Sequence, residues 1–253
     1  MNKIIDLNAD VGESSVSWPT GNDAELIPLL TSASIACGFH AGDPLTIEKT
    51  TALAVQHQVA IGAHPSLPDM EGFGRRRMNI SGEEACRLVL YQSGAIRAFA
   101  EAQGKILHHV KLHGALYNMA AESEELSKGI VRAIRKLRGE PVLYVPSGSV
   151  MEHIAANEGI RIAREIFADR RYLASGHLAP RHQPHALIND PSESVRQVLS
   201  IILNQKCSAM GGETITLQAD TVCIHGDHPG CVTLAKQLRR ALQEAGIRVS
   251  AFQ

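Results

Sequence analysis

Apolar runs alternate along this chain with polar residues that recur at every second position near the runs' C-terminal ends. Asp6, Asn8 and Asp10 in IIDLNADVGE, His109, Lys111 and His113 in ILHHVKLHGALYN, and His225 and Asp227 in VCIHGDHPG are each spaced by two. On an extended strand, residues two apart face the same side, so each set crowds ionisable groups onto one face. A purely structural sheet would carry Val or Leu there, because buried ionisable groups are costly unless paired or used in chemistry. The pattern predicts strands over Lys3–Ala9, Ala33–Cys37, Val59–Gly62, Ile106–Leu112, Pro141–Val145, Ile160–Phe167 and Thr221–His225, with Arg248–Phe252 as a closing segment.

Helical periodicity fills the intervals. Start signals are Asn22 with Glu25, Ser81 with Glu84, and Pro229 in a first turn, while Gly104 and Gly246 follow long amphipathic runs. About seven βα units in one chain predict an α/β fold of parallel strands and right-handed crossovers. A barrel related to the (β/α)8 type places catalytic groups at the strand C-termini, where these polar residues fall. An open doubly wound sheet is the competitor, but no G-x-G-x-x-G follows the first strand.

Two segments interrupt the alternation within a single domain, 1–253. Residues 169–188, broken by Pro180 and Pro184, read as a lid-like loop over the barrel mouth, and residues 206–220 read as a hairpin turning at Gly211-Gly212.

A chain of 253 residues, 44% hydrophobic, can bury a sizeable core, and 25 Lys+Arg against 26 Asp+Glu favour neither nucleic acid nor an anionic membrane as partner. A small-molecule substrate is the expectation. Five cysteines without C-x-x-C spacing read as reduced core thiols. With neither a signal-peptide pattern nor an apolar run long enough for a membrane span, the expected location is cytoplasmic.

DLNADVGE, SASIACGFHAGDP, AIGAHPSLPD followed by GFGRR, HVKLHGALYN, LAPR and CIHGDHPG, in this order, resemble the LamB/YcsF family from end to end. The departures are Leu112 where Pro is common, Ser66-Leu67 where Gly-Tyr is common, and His228 where Thr is common; Leu67 and His228 are expected to alter substrate fit. The resemblance implies a distorted seven-stranded TIM-like barrel of the glycoside hydrolase/deacetylase type. It also implies opening of the 5-oxoproline lactam to glutamate, coupled to ATP hydrolysis and dependent on two other 5-oxoprolinase subunits. No G-x-x-x-x-G-K-[ST] loop is present, so ATP is expected on a partner chain or at a site without a sequence signature.

The candidate catalytic residues are Asp10, His40, His64, Lys111, His113 and Asp227. Asp10 is either a general base or a metal-binding carboxylate, against the plainer reading of a turn cap, with Asp6 in support behind it. His40, His64 and His113 each stand just past an apolar strand. Alone, each would read as a hydrogen-bonded structural histidine, but Asp10, His64 and His113 together could hold a divalent metal that activates water. Lys111 forms a salt bridge to an inward carboxylate such as Asp6 or Asp10, or it holds a substrate carboxylate or the charge developing on the amide oxygen.

Asn8, Glu13, Arg75, Arg181 and His225 are the candidate substrate-binding residues. Of Arg75, Arg76 and Arg77, two are expected to be solvated and one to reach an anionic substrate. Asp227 either orients an imidazole or caps the following helix. No G-x-S-x-G elbow exists and Cys37 lacks a base in a recognisable motif, so covalent catalysis is the weaker mechanism. Beside the lactam-opening reading stand a stand-alone metal-dependent hydrolase or deacetylase and a non-catalytic metabolite-binding subunit.

Overall fold

The computed structural model describes residues 3–14, 22–226 and 230–253. Its strands are β1 (Ile4–Val11), β2 (Ser32–Ala36), β3 (Ala60–His64), β4 (His109–Lys111), β5 (Val142–Pro146), β6 (Ile162–Phe167), β7 (Lys206–Ser208), β8 (Thr214–Thr216), β9 (Thr221–His225) and β10 (Arg248–Val249). Strands β1, β2, β3, β4, β5, β6 and β9 pair in parallel in that order, and β9 pairs back onto β1, so seven strands close a barrel among the described residues. Strand β10 adds to the outer end of β1, and β7–β8 form an antiparallel hairpin outside the barrel.

Helices α1 (Asp23–Leu26), α2 (Pro44–Gln56), α3 (Gly82–Ala102), α4 (Gly114–Glu122), α5 (Glu124–Lys136), α6 (Val150–Asn157), α7 (Pro191–Asn204) and α8 (Cys231–Glu244) accompany the strands. Ser81 and Glu84 form a reciprocal capping box at the start of α3, and Asp43 caps α2 with Pro44 at its first position. The expected Asn22 cap is absent: its side chain makes no capping bond, and the four-residue α1 gives it little helix to cap. Pro229 lies outside the described residues. Helix α5 carries acids in its first turn and Arg135 and Lys136 in its last, matching the helix dipole at both ends.

The strand alternation sends Ile5, Leu7, Ala9 and Val11 outward under the helices, where they join the main apolar core. The opposite face, Asp6, Asn8 and Asp10, points into the barrel together with Ser32, Ser34, His109, Lys111, Tyr144, Glu165, Thr221 and Cys223, all buried. The barrel interior is therefore a stack of polar layers, and each layer is closed by hydrogen bonds. In the lowest, Asp6 accepts from the hydroxyls of Thr31 (2.6 Å), Ser32 (2.7 Å), Tyr144 (2.9 Å) and Thr221 (2.6 Å). Above it, His109 stacks on Tyr144 with ring centroids 4.3 Å apart and lies 3.2 Å from Ser34 Oγ. Gly62 makes this possible, since a Cβ there would sit 2.1 Å from the His109 ring.

All five cysteines are free thiols and buried. Among the described residues no helix is long and apolar enough to cross a membrane.

Candidate active site

The strand C-termini and the segment 169–182 enclose a cleft of about 530 Å³, lined by Asp10, Glu13, His64, Arg75, Lys111, His113, Tyr117, Phe167, Arg170, Arg181 and His225 among others. Of the residues expected in the site, Asn8 lies below this floor, fully buried, and His40 lies behind Glu13. Asp227 and His228 fall outside the described residues. Leu67 is fully buried in the apolar core, so its departure from the family pattern is a packing substitution rather than a change in the cleft.

Lys111 occupies the centre of the floor with 1% of its surface exposed. Its ammonium donates to Asp10 Oδ1 (2.7 Å), Asn8 Oδ1 (3.1 Å) and Cys223 Sγ (2.8 Å), and pairs with Glu165 Oε1 at 2.9 Å. Glu165 Oε2 accepts from Tyr117 at 2.8 Å. Burial favours the neutral amine, but the charges of Asp10 and Glu165 carry the Lys111 pKa well above its ordinary value. With its donors committed in this way Lys111 is a buried counter-ion, and it is not open to hold a substrate carboxylate.

Burial also opposes charge on Asp10, yet His64 and Lys111 outweigh it and hold this carboxyl well below the usual carboxylate range. Its second oxygen lies 3.3 Å from His64 Nε2.

His64, His113, His40 and Glu13 converge beside it. His64 Nδ1 donates to the Lys111 carbonyl at 2.8 Å, and His113 Nε2 donates to the Phe73 carbonyl at 2.8 Å. A carbonyl only accepts, so these bonds fix which nitrogen of each ring carries hydrogen. The remaining nitrogens, His64 Nε2 and His113 Nδ1, face each other 3.0 Å apart. Glu13 Oε1 lies 3.3 Å from His113 Nδ1, 3.9 Å from His64 Nε2 and 3.0 Å from His40 Nε2. His40 stacks on His113 at 3.7 Å, and its Nδ1 is buried without a partner. Burial lowers His64 affinity for a proton, but Asp10, through charge and hydrogen bond, raises it above the ordinary histidine value; burial and the neighbouring His40 and His64 push His113 well below that value.

Two facing imidazole lone pairs either share one proton or bind a common cation. The donors Glu13, His40, His64 and His113 lie within 4.8 Å of one another, a nitrogen-rich set that suits a transition-metal dication. The carbonyls of Lys111 and Phe73 orient the two rings as outer hydrogen-bond partners do in metal sites. A second group, Asp10, Cys223 and His225, meets the same distance limit, but Lys111 already contributes its charge there.

On the opposite wall, His225 Nδ1 lies 2.8 Å from both oxygens of Asp169, and its ring stacks on Phe167 at 5.3 Å. The buried Asp169 carboxyl resists ionisation through desolvation, but the charge of His225 and its hydrogen bond bring its pKa below the ordinary value. Arg75 lies over the Phe73 ring at 4.7 Å and lines the cleft, as does Arg77 at its rim beside Glu122, whereas Arg76 is bound to Asp69.

Glu165, Tyr117, Asp169 and Arg170 were not candidates from sequence. Glu165 stands two residues from Ala163 and Phe167 on β6, so strand parity carried its signal; the apolar neighbours masked it. Asp169 and Arg170 follow the strand in an irregular segment, where parity has no meaning.

The LamB/YcsF family model matches residues 5–253. A curated relative from Bordetella pertussis (strain Tohama I), named as the A subunit of 5-oxoprolinase, is 50% identical over 251 residues, 99% of this chain and 100% of its own. Another of that name, from Brevibacillus brevis (strain 47), is 47% identical over 249 residues, covering 98% of each. The crystal structure of a lactam utilization protein from Thermus thermophilus superposes with a TM-score of 0.92 at 45% identity, covering 98% of this chain and 100% of that one.

Proposed function

The chain belongs to the LamB/YcsF family, and we propose that it is the A subunit of an ATP-dependent 5-oxoprolinase, opening the lactam ring of 5-oxo-L-proline to L-glutamate. The reading rests on end-to-end similarity to relatives of that name and on the paired rings of His64 and His113 with Glu13 at the floor of a cleft large enough for a small lactam. A protein that is one subunit of an enzyme has partner chains, and two are proposed here.

Amide hydrolysis needs an activated water, charge stabilisation at the carbonyl oxygen and a proton for the departing nitrogen. Asp10, held ionised beside His64, would accept the proton of a water, with its position fixed by Lys111, which Glu165 holds in turn. His64 and His113 with Glu13 and His40, or with Asp10, would hold a divalent metal. When bound, that ion would supply Lewis-acid polarisation and a lowered water pKa. His225, bonded to Asp169 on the opposite wall of the cleft, would pass a proton to the departing ring nitrogen. Asn8 supports the floor by bonding Lys111, Glu165 and Thr221.

The coupling to ATP has a chemical reason. The product's amine and carboxyl lie on one short chain, so reclosure has a high effective molarity and hydrolysis alone has little driving force. Phosphorylation of the amide oxygen would make the carbonyl a better electrophile, and we assign ATP to the assembled enzyme. The test is glutamate release from 5-oxoproline with ATP, by this chain alone and with candidate partner subunits. Release only in the mixture supports the reading; release of glutamate by neither overturns it.

A further inference from the structure

A buried guanidinium of the cleft has no part in the chemistry above. Arg170 follows β6 and is 5% exposed. Its Nη2 donates to the Ala179 carbonyl, its Nε is buried without a partner, and among the described residues it makes no ion pair. The adjacent Asp169 directs both oxygens to His225 instead. Burial, with the like charge of Arg181 nearby, pulls the guanidinium down to about 10. A desolvated guanidinium whose neighbouring carboxylate is bonded elsewhere is costly, and such cost is concentrated at binding sites.

Arg170 and Arg181 line the same cleft as His64, His113 and His225. Lys111, the other buried cation of that cleft, is already neutralised by Asp10 and Glu165. Asp169 is the nearest opposite charge but is bonded to His225, so among the described residues the guanidinium has no carboxylate of its own, and a bound anion would supply one.

We propose that Arg170, with Arg181 beside it, binds the carboxylate of the substrate and makes the cleft select lactams that carry one. This rests on the lactam-opening function. A guanidinium can grip a carboxylate through two parallel hydrogen bonds, and a buried Nε with no partner is one of the donors such a grip uses. The polar wall would hold the carboxylate while the amide carbonyl is turned toward the His64–His113 floor. A site built to bond a charged group rejects a neutral analogue strongly, because its own buried donors are then left unpaired.

The test uses the enzyme assembled with its partner chains and ATP, and two substrates: 5-oxoproline, opened to glutamate, and its neutral carboxamide, opened to isoglutamine. The wild-type enzyme should prefer the carboxylate in kcat/KM by about 100-fold or more. Arg170→Gln should raise KM for 5-oxoproline by about 10- to 100-fold with kcat changed little, leave kcat/KM for the carboxamide near its starting value, and so remove the preference. Arg170→Lys should recover part of it. Arg181→Gln, at a half-buried position, should move KM the same way by less and guards against a folding defect in the Arg170 variants. An equal fall for both substrates, no change for either, or a wild-type enzyme indifferent to the carboxylate would overturn the assignment while leaving the function intact. A wild-type assembly that opens neither lactam would overturn the function itself, and the anchor with it.

Discussion

His64 Nε2 and His113 Nδ1 face each other across 3.0 Å while the other nitrogen of each ring donates to a main-chain carbonyl. The fold fixes both tautomers through Lys111 and Phe73, which act here not as side chains but as backbone, on β4 and on the loop after β3. Neither ring can turn its donor toward the other without leaving a carbonyl buried and unsatisfied.

The isolated chain is therefore expected to bind a dication such as Zn²⁺. Calorimetric titration of chelator-treated protein should show a saturable site, and His64→Ala or His113→Ala should weaken it by at least about 100-fold. Equal, weak uptake by wild type and variants would leave only the shared proton.

Asp10→Asn should lower kcat by about two to four decades, as loss of an acid–base group does. Stability should fall too, because the buried Lys111 ammonium loses one of its two carboxylates; the remaining Glu165 keeps the loss below the about 3–5 kcal/mol of a fully broken buried pair. A turn cap would tolerate Asn without either effect. Melting temperature and kcat measured on the same preparation separate the two.

Asp169→Asn leaves the shape of the His225 pocket but removes the charge that orients the ring. We expect kcat to fall by about 100-fold with KM nearly unchanged. A variant with wild-type kcat would remove His225 from the proton path.

Asp23 accepts the Gly12 N–H at 2.8 Å, and its burial raises the carboxyl to about 6. An acid whose pKa rises on folding binds its proton more tightly in the native state. Its contribution is present below the unfolded value of 3.8 and is lost as pH rises through about 6, where the ionised group costs the fold up to about 3 kcal/mol. Asp23→Asn keeps an acceptor for Gly12, so it should raise the melting temperature at pH 8 and change it little at pH 4. A loss of stability at pH 8 would refute this.

Much of this site was legible because strand parity is strict. Asp6, Asn8 and Asp10, and His109 and Lys111, project into the barrel on the side that their spacing implies. Parity does not report depth, however: Asp6 and His109 lie in lower layers closed by hydroxyls and by Tyr144, whereas Asp10 and Lys111 reach the floor of the cleft. It also could not pair Lys111 with Glu165, whose strand neighbours are apolar, nor find Asp169 and Arg170 beyond the end of β6. Glu13 and His40 meet only because the loops after β1 and β2 fold over the barrel mouth, a long-range approach that no local pattern encodes.

Ring opening in this cleft, at His64 and His113, can be checked in one experiment. ATP-dependent glutamate release is measured for the assembled enzyme carrying His113→Ala, with assembly verified by co-purification. With His64 and His113 at the reacting centre, kcat falls by at least about 100-fold in a complex that still forms; glutamate release at the wild-type rate would place the chemistry elsewhere.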